Sequence, residues 1–148
     1  MADRYIRFTG VIAGITRDIR RITAEAISRF GIKRSFVPCI YFLQKHGPLS
    51  ATKLCKLCDE DKANISRTLK ALEDEGYVVK EVRTSPRARV KMRLSESGAE
   101  IGSYISKCVS DMVTLATEGI SDGEIETMYS VLERIGANLR GVLEEIDQ

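Results

Sequence analysis

Asp61-Lys62-Ala63-Asn64-Ile65-Ser66-Arg67-Thr68-Leu69-Lys70-Ala71-Leu72-Glu73-Asp74-Glu75-Gly76 is the stretch whose reading decides the fold. Ile65, Leu69 and Leu72 are spaced four and three apart, which places them on one face of a helix. A rotation of about 100° per residue sends Ala63, Arg67 and Lys70 the opposite way, with Asn64 and Ser66 on the flanks. Gly76 closes the helix. One side is therefore apolar, and the other carries small, hydrogen-bonding and basic groups. Such side chains suit base edges and phosphates in a DNA major groove. An ordinary amphipathic surface helix has the same pattern, so the flanking sequence has to decide.

Upstream, Leu49 to Cys58 reads as a short helix with Ser50 as its N-cap, followed by a turn at Asp59-Glu60. Two short helices joined by a brief turn are the signature of a helix-turn-helix, the second helix being the reader. Downstream the apolar period changes to two. Tyr77 to Val82 is rich in strand formers. Arg83 to Ala88 is a turn, and then Ala88, Val90, Met92 and Leu94 alternate with Arg89, Lys91 and Arg93. From Arg83 through Arg93 there are five basic residues and no acid. A basic hairpin directly after a helix-turn-helix is a wing, although a solvated charged hairpin has the same composition.

The flanks are helical. Ile12, Ile15, Ile19, Ile22 and Ala26 mark a long helix over residues 3–30 with a narrow seam, stopped by Gly31. Gly10-x-x-x-Gly14 in this helix permits close packing. Ser35 to His46 is a second helix, with Pro38 in its first turn and a break at His46-Gly47-Pro48. Beyond the wing, Ile101, Ile105, Cys108, Met112 and Leu115 form another seam, ended by Gly119. Ser121-x-x-Glu124 is a capping box. It opens a last helix in which Ile125, Met128, Leu132, Ile135, Leu139, Val142 and Ile146 repeat at three and four. Heptad seams at both ends predict that two copies of the chain pack together; packing within one chain is the alternative.

Composition agrees with a globular protein. Of 148 residues, 43% are hydrophobic and 30% charged, and there is no apolar run long enough for a membrane span. The apolar patch near Met1 to Ile15 resembles a leader, but Arg17-Asp18 interrupts it and the helical period continues beyond, which predicts a helix of the mature chain. Four cysteines, Cys39, Cys55, Cys58 and Cys108, do not make a disulfide scaffold, so the expected location is cytoplasmic. The net charge of +2 is unevenly spread. Residues 1–49 carry nine Lys/Arg and three Asp/Glu, residues 50–95 eleven and seven, and residues 96–148 three and eleven. A basic front meeting a polyanion is the implication of that asymmetry.

The order of elements and several motifs resemble the MarR family (multiple-antibiotic-resistance regulators). The match runs from Ser35 to Gly98. Leu49-Ser50 with Leu54 is similar to the family's opening of the third helix. Asp61-Lys62-x-x-Ile65-Ser66-Arg67-x-Leu69-x-x-Leu72-Glu73-x-x-Gly76-Tyr77-Val78 resembles its recognition helix and the turn into the wing. Leu94-Ser95-x-x-Gly98 resembles the junction from wing to fifth helix. The resemblance implies a mainly α chain with a small β-wing: a winged helix-turn-helix over 35–98 within a single MarR-like chain of 1–148, with helical dimerisation regions at 1–31 and 99–148. It also implies a homodimeric transcription regulator on a pseudo-palindromic operator in double-stranded DNA. Asn64, Arg67 and Lys70 fall where the family reads the major groove, and Arg87 and Arg89 at the wing tip that reaches the minor groove. The family's usual Asp-x-Arg in the wing is replaced here by Ser85-Pro86.

The expected DNA-binding set is therefore Lys53, Lys56, Lys62, Asn64, Ser66, Arg67, Lys70, Arg83, Arg87, Arg89 and Lys91. No cofactor, metal or membrane partner is expected, and a repressor is the favoured role. Family members often respond to small aromatic ligands or thiol oxidation, so an effector of either kind is a further expectation. Cys55-x-x-Cys58 offers two ligands without a completing pair, so it reads as structural cysteine; its sharper reading is a thiol pair whose oxidation disturbs the helix-turn-helix. His46 has no second histidine to pair with and reads as a solvated helix-end residue. An enzyme is not indicated, since no phosphate loop, metalloprotease motif or nucleophile elbow is present. Ser50-x-x-Lys53 is better explained by the cap, and Asn64-Ile65-Ser66 is a formal glycosylation sequon only. The reading from another class is a winged-helix protein-interaction module that binds an acidic partner and no DNA.

Overall fold

A computed structural model describes residues 2–147; Met1 and Gln148, the ends of the expected 1–148 unit, lie outside the described residues. Residues up to Asp111 form one compact unit and those from Met112 a second.

In the first unit, helix α1 (Ala2–Ser28) leads through a turn at Gly31 (φ 66°) and a 3-10 turn (Arg34–Phe36) into α2 (Val37–His46). Pro38 stands in the first turn of α2, where a missing N–H costs nothing. Gly47 (φ 76°) ends that helix, as the His46-Gly47-Pro48 break predicts. Next in order are β1 (Leu49–Ser50), α3 (Ala51–Cys58), α4 (Lys62–Asp74), β2 (Val78–Lys80), β3 (Lys91–Leu94) and α5 (Glu96–Ala116). The fold class is the expected one, mainly helical with a small antiparallel sheet in the order β1-β3-β2.

The core explains why these segments fold together. Ile27, Phe36, Ile40, Leu54, Leu72, Val78 and Ile105 come from separate segments and are almost wholly removed from water. Burying each such side chain contributes about 1.5–3 kcal/mol. The apolar face read from the 4-3 spacing of α4 is the buried one: Ile65, Leu69 and Leu72 all enter this core.

Two expectations are corrected. Leu49 and Ser50 do more than open the third helix: they pair with Met92 and Lys91 as strand β1, while Ser50 Oγ still accepts the Lys53 N–H at 3.2 Å as N-cap. The wing strands are shorter than residues 77–82 and 88–94. The Glu81 N–H donates to Lys91 O at 2.8 Å, but pairing then stops. Pro86 has no N–H to give, Ala88 N–H turns back to Ser85 O at 3.1 Å, and Val82, 90% exposed, has nothing to pack on. The alternation itself holds, with Met92 buried and Lys91 and Arg93 exposed. The α1 seam, read as facing either this chain's core or a second copy, stays largely outside the core. Ala24 and Ile27 enter it, whereas Ile12, Ile15, Ile19 and Ile22 are between 40% and 56% exposed.

The join between wing and α5 is tightly built. Ser95 Oγ donates to Gly76 O at 2.6 Å and accepts the Gly98 N–H at 3.1 Å, capping α5. Gly98 lies so close to Tyr77 that a Cβ would sit 2.0 Å from the Tyr77 carbonyl oxygen. The Leu94-Ser95-x-x-Gly98 motif is thus a helix cap plus a backbone-on-backbone contact.

In the second unit, α6 (Asp122–Ile146) opens with the expected capping box. Ser121 Oγ accepts the Glu124 N–H at 3.3 Å, and Glu124 Oε2 accepts from the Ser121 N–H at 3.0 Å. The Ser121 hydroxyl, donating to Glu124 Oε2 at 2.7 Å, and the Ser121 N–H hold the Glu124 carboxyl below its ordinary range. No described residue of α6 is buried, and Leu139, Val142 and Ile146 are more than half exposed. No helix among the described residues is long and apolar enough to cross a membrane.

Candidate nucleic-acid interface

The helix-turn-helix is set by local chemistry. Asp59 takes a left-handed conformation (φ 52°), which Asp tolerates better than most residues, and reverses the chain after α3. Asp61 Oδ1 then accepts the Asn64 N–H at 2.8 Å and starts α4. With Ile65, Leu69 and Leu72 anchored in the core, Lys62, Asn64, Ser66, Arg67 and Lys70 are left facing water. Lys53 and Lys56 are exposed on α3, and Arg83, Arg87, Arg89 and Lys91 are exposed in the wing. All eleven residues of the expected set are therefore accessible.

They are not all free. Asn64 Nδ2 donates to Glu60 Oε2 at 3.1 Å, and Asn64 Oδ1 accepts from the Arg67 guanidinium. Lys70 pairs with Asp74 at 3.5 Å. Sequence reasoning missed Glu60, although its position four residues before Asn64 across the cap is the signal that finds it. The acidic end of α4 is paired throughout, Glu73 with Lys80 at 3.9 Å and Glu75 with Lys33 at 3.7 Å. These exposed pairs are individually weak, but they keep three negative charges locally balanced beside a basic surface.

An open cleft of about 660 Å³ lies in the first unit beside the helix-turn-helix. Tyr41, Phe42, Ile19 and Val109 contribute apolar walls, Arg20 and Arg34 charged ones, and Asn64 and Thr68 come from the reading helix.

Cys55 and Cys58, read from the sequence as structural cysteines, are only half-buried. All four cysteines are free. Cys39 of α2 is buried, Cys58 at the end of α3 is half-buried, and both line the cleft. The neighbouring Cys58 side chain and burial push the Cys39 thiol up, and the Cys39 side chain lowers Cys58. Cys108, which was expected in the core, is half-buried as well. Among the described residues, no three His, Cys, Asp or Glu side chains converge as a metal set.

Residues 30–89 match the family model described as the MarR family. No curated protein matches the chain significantly. Among solved structures, the transcriptional regulator SlyA aligns with a TM-score of 0.81 at 19% identity, over 94% of this chain and 98% of that one. The complex of S. aureus MepR with DNA gives 0.81 at 17% identity, over 91% and 98%. A MarR/EmrR family transcriptional regulator from Acinetobacter sp. ADP1 gives 0.80 at 19% identity, over 95% and 99%. At these identities the structural likeness shows the fold; the family match to 30–89 bears out the resemblance carried by Leu49-Ser50 with Leu54 and by the α4 motif from Asp61 to Val78, while Leu94-Ser95-x-x-Gly98 lies beyond it.

Proposed function

We propose that this MarR-like chain is a sequence-specific DNA-binding transcription regulator, a cytoplasmic repressor acting as a homodimer on a pseudo-palindromic operator. The observation that carries the reading is the division of α4. Ile65, Leu69 and Leu72 are buried, and the opposite side presents Asn64, Ser66, Arg67 and Lys70 to solvent beside a hairpin bearing basic residues alone from Arg83 to Arg93. In this reading Asn64 and Arg67 contact base edges. Lys53, Lys56, Lys62, Arg83, Lys91 and the wing-tip Arg87 and Arg89 contact phosphates or the adjacent minor groove. The exposed isoleucine seam of α1 and the unburied apolar stripe of α6 support pairing of two copies through the terminal helices. The cleft beside α4 has the size and apolar walls of a small-molecule site, which supports release by an effector.

A mobility-shift titration of the full chain against genomic and random duplexes tests this. Binding with a marked preference for a subset of duplexes is expected. Absence of any duplex binding, with retention of an acidic protein partner, contradicts it and favours the interaction module.

A further inference from the structure

Helix α1 carries a second face besides its isoleucine seam. Arg17, Arg20 and Arg21 are spaced three and four apart and share one side of the helix. At about 100° per residue that side points roughly away from Ile12, Ile15 and Ile22. Arg34, from the 3-10 turn, joins them: the four arginines line an open groove of about 590 Å³ with Ala13 and Thr16, and no acid lines it. All four are exposed. Among the described residues Arg17 alone of the four is ion-paired, with Asp18 at 3.5 Å. Like charges three and four apart destabilise a helix, so this arrangement works against α1 until an anion neutralises it.

Arg20 and Arg34 also line the cleft of about 660 Å³, so groove and cleft share a rim. Beyond that rim Ala24, Val37, Tyr41 and Phe42 give apolar walls, and the only acid, Glu60, is engaged by Asn64. A ligand that fills both spaces has an apolar body and an anionic head. A single carboxylate neutralises one guanidinium. A diphosphate spreads its charge over a span that more than one arginine can clamp, each fork matching phosphate oxygens bidentately.

We infer that the arginine groove binds the diphosphate group of a small amphiphile whose apolar chain lies in the adjoining cleft. Arg20 and Arg34 grip the head at the rim, and Arg17 and Arg21 neutralise its outer charge. The site rests on the reading of the cleft as a small-molecule site and needs nothing from the reading of α4. Two kinds of molecule share this chemistry: an isoprenoid diphosphate, and an acyl thioester of coenzyme A, whose diphosphate stands further from the chain.

Isothermal titration calorimetry of the full chain with geranyl diphosphate, octanoyl-coenzyme A, geraniol and inorganic pyrophosphate is the test. One of the two amphiphiles is expected to bind at least about tenfold more tightly than geraniol or pyrophosphate, and the tighter one names the source. Arg20→Ala with Arg34→Ala is expected to remove that advantage and leave the geraniol affinity unchanged. Arg20→Lys with Arg34→Lys, which keeps the charge and loses the fork, should fall between. Arg7→Ala, on the same helix but outside the groove, leaves every affinity as it is; circular dichroism checks each fold. Geraniol binding as tightly as both amphiphiles overturns the role of the arginines and leaves the cleft reading standing. Pyrophosphate binding as tightly as both removes the cleft from the site. Binding of neither amphiphile overturns the inference outright; if the alanine variant then loses affinity for a duplex that the wild type binds, the groove is a phosphate contact for DNA. A chain that binds an amphiphile and no duplex keeps this site and loses the DNA reading.

Discussion

Glu60 holds Asn64: the amide Nδ2 donates to the carboxylate at 3.1 Å, while the amide oxygen accepts from Arg67. A side chain in the turn therefore sets the orientation of two groups on the reading face before any DNA arrives. Ordering them in advance reduces the conformational entropy lost on binding. If α4 reads DNA as proposed, this carboxylate repels phosphates and opposes indiscriminate binding. Glu60→Ala should raise affinity for random duplex and narrow the ratio of selected to random affinity. Titrations of both duplexes at one salt concentration check this; an unchanged ratio removes Glu60 from the recognition network.

Arg67 is the reading-face residue best suited to a bidentate base contact. Arg67→Ala should weaken binding to the selected duplex by about 1–3 kcal/mol and relax base preference at one position of each half-site. If affinity and preference both persist, the reading face has been assigned to the wrong side of α4.

In the proposed reading the wing acts through charge. Each phosphate contact contributes about 0.9 to the slope of log affinity against log salt, so Arg87→Ala and Arg89→Ala together should flatten the slope by up to about 2. An unaltered slope over a salt series means the wing does not touch the backbone.

The sequence was most legible where periodicity and burial coincide. The 4-3 spacing of Ile65, Leu69 and Leu72 identified the buried face of α4, and Ser50, Asp61 and Ser121 announced three helix starts that the structure caps in the same way. It was least legible where partners are distant or segments short. Strand β1 is two residues long, too few for any period to register. For the wing, alternation identified which side chains face inward but not where pairing ends, because Pro86 and the exposed Val82 act through lost hydrogen bonds and missing packing.

Gly98 tests the join between wing and α5. A methyl group there meets the Tyr77 carbonyl carbon at 3.0 Å and its oxygen at 2.0 Å, and backbone cannot swing aside as a side chain does. Gly98→Ala should cost about 1–3 kcal/mol in a denaturant titration. A wild-type midpoint and slope would show that the contact relaxes freely.

The isoleucine seam of α1 is exposed in the chain, so charging it should leave the fold of the first unit intact. Ile15→Glu with Ile19→Glu, at positions 56% and 42% exposed, should convert a dimer into a folded monomer, read by light scattering and circular dichroism. A wild-type chain that is already monomeric at micromolar concentration contradicts the seam assignment.

The central claim, that this chain reads DNA as a two-fold pair, is tested most directly by selecting bound duplexes from a random pool. The account predicts enrichment of an inverted repeat whose half-sites are centred about one helical turn, roughly 10–10.5 base pairs, apart. Enrichment of a single unpaired half-site would contradict the paired geometry, and a pool that emerges without any enriched sequence would contradict the claim altogether.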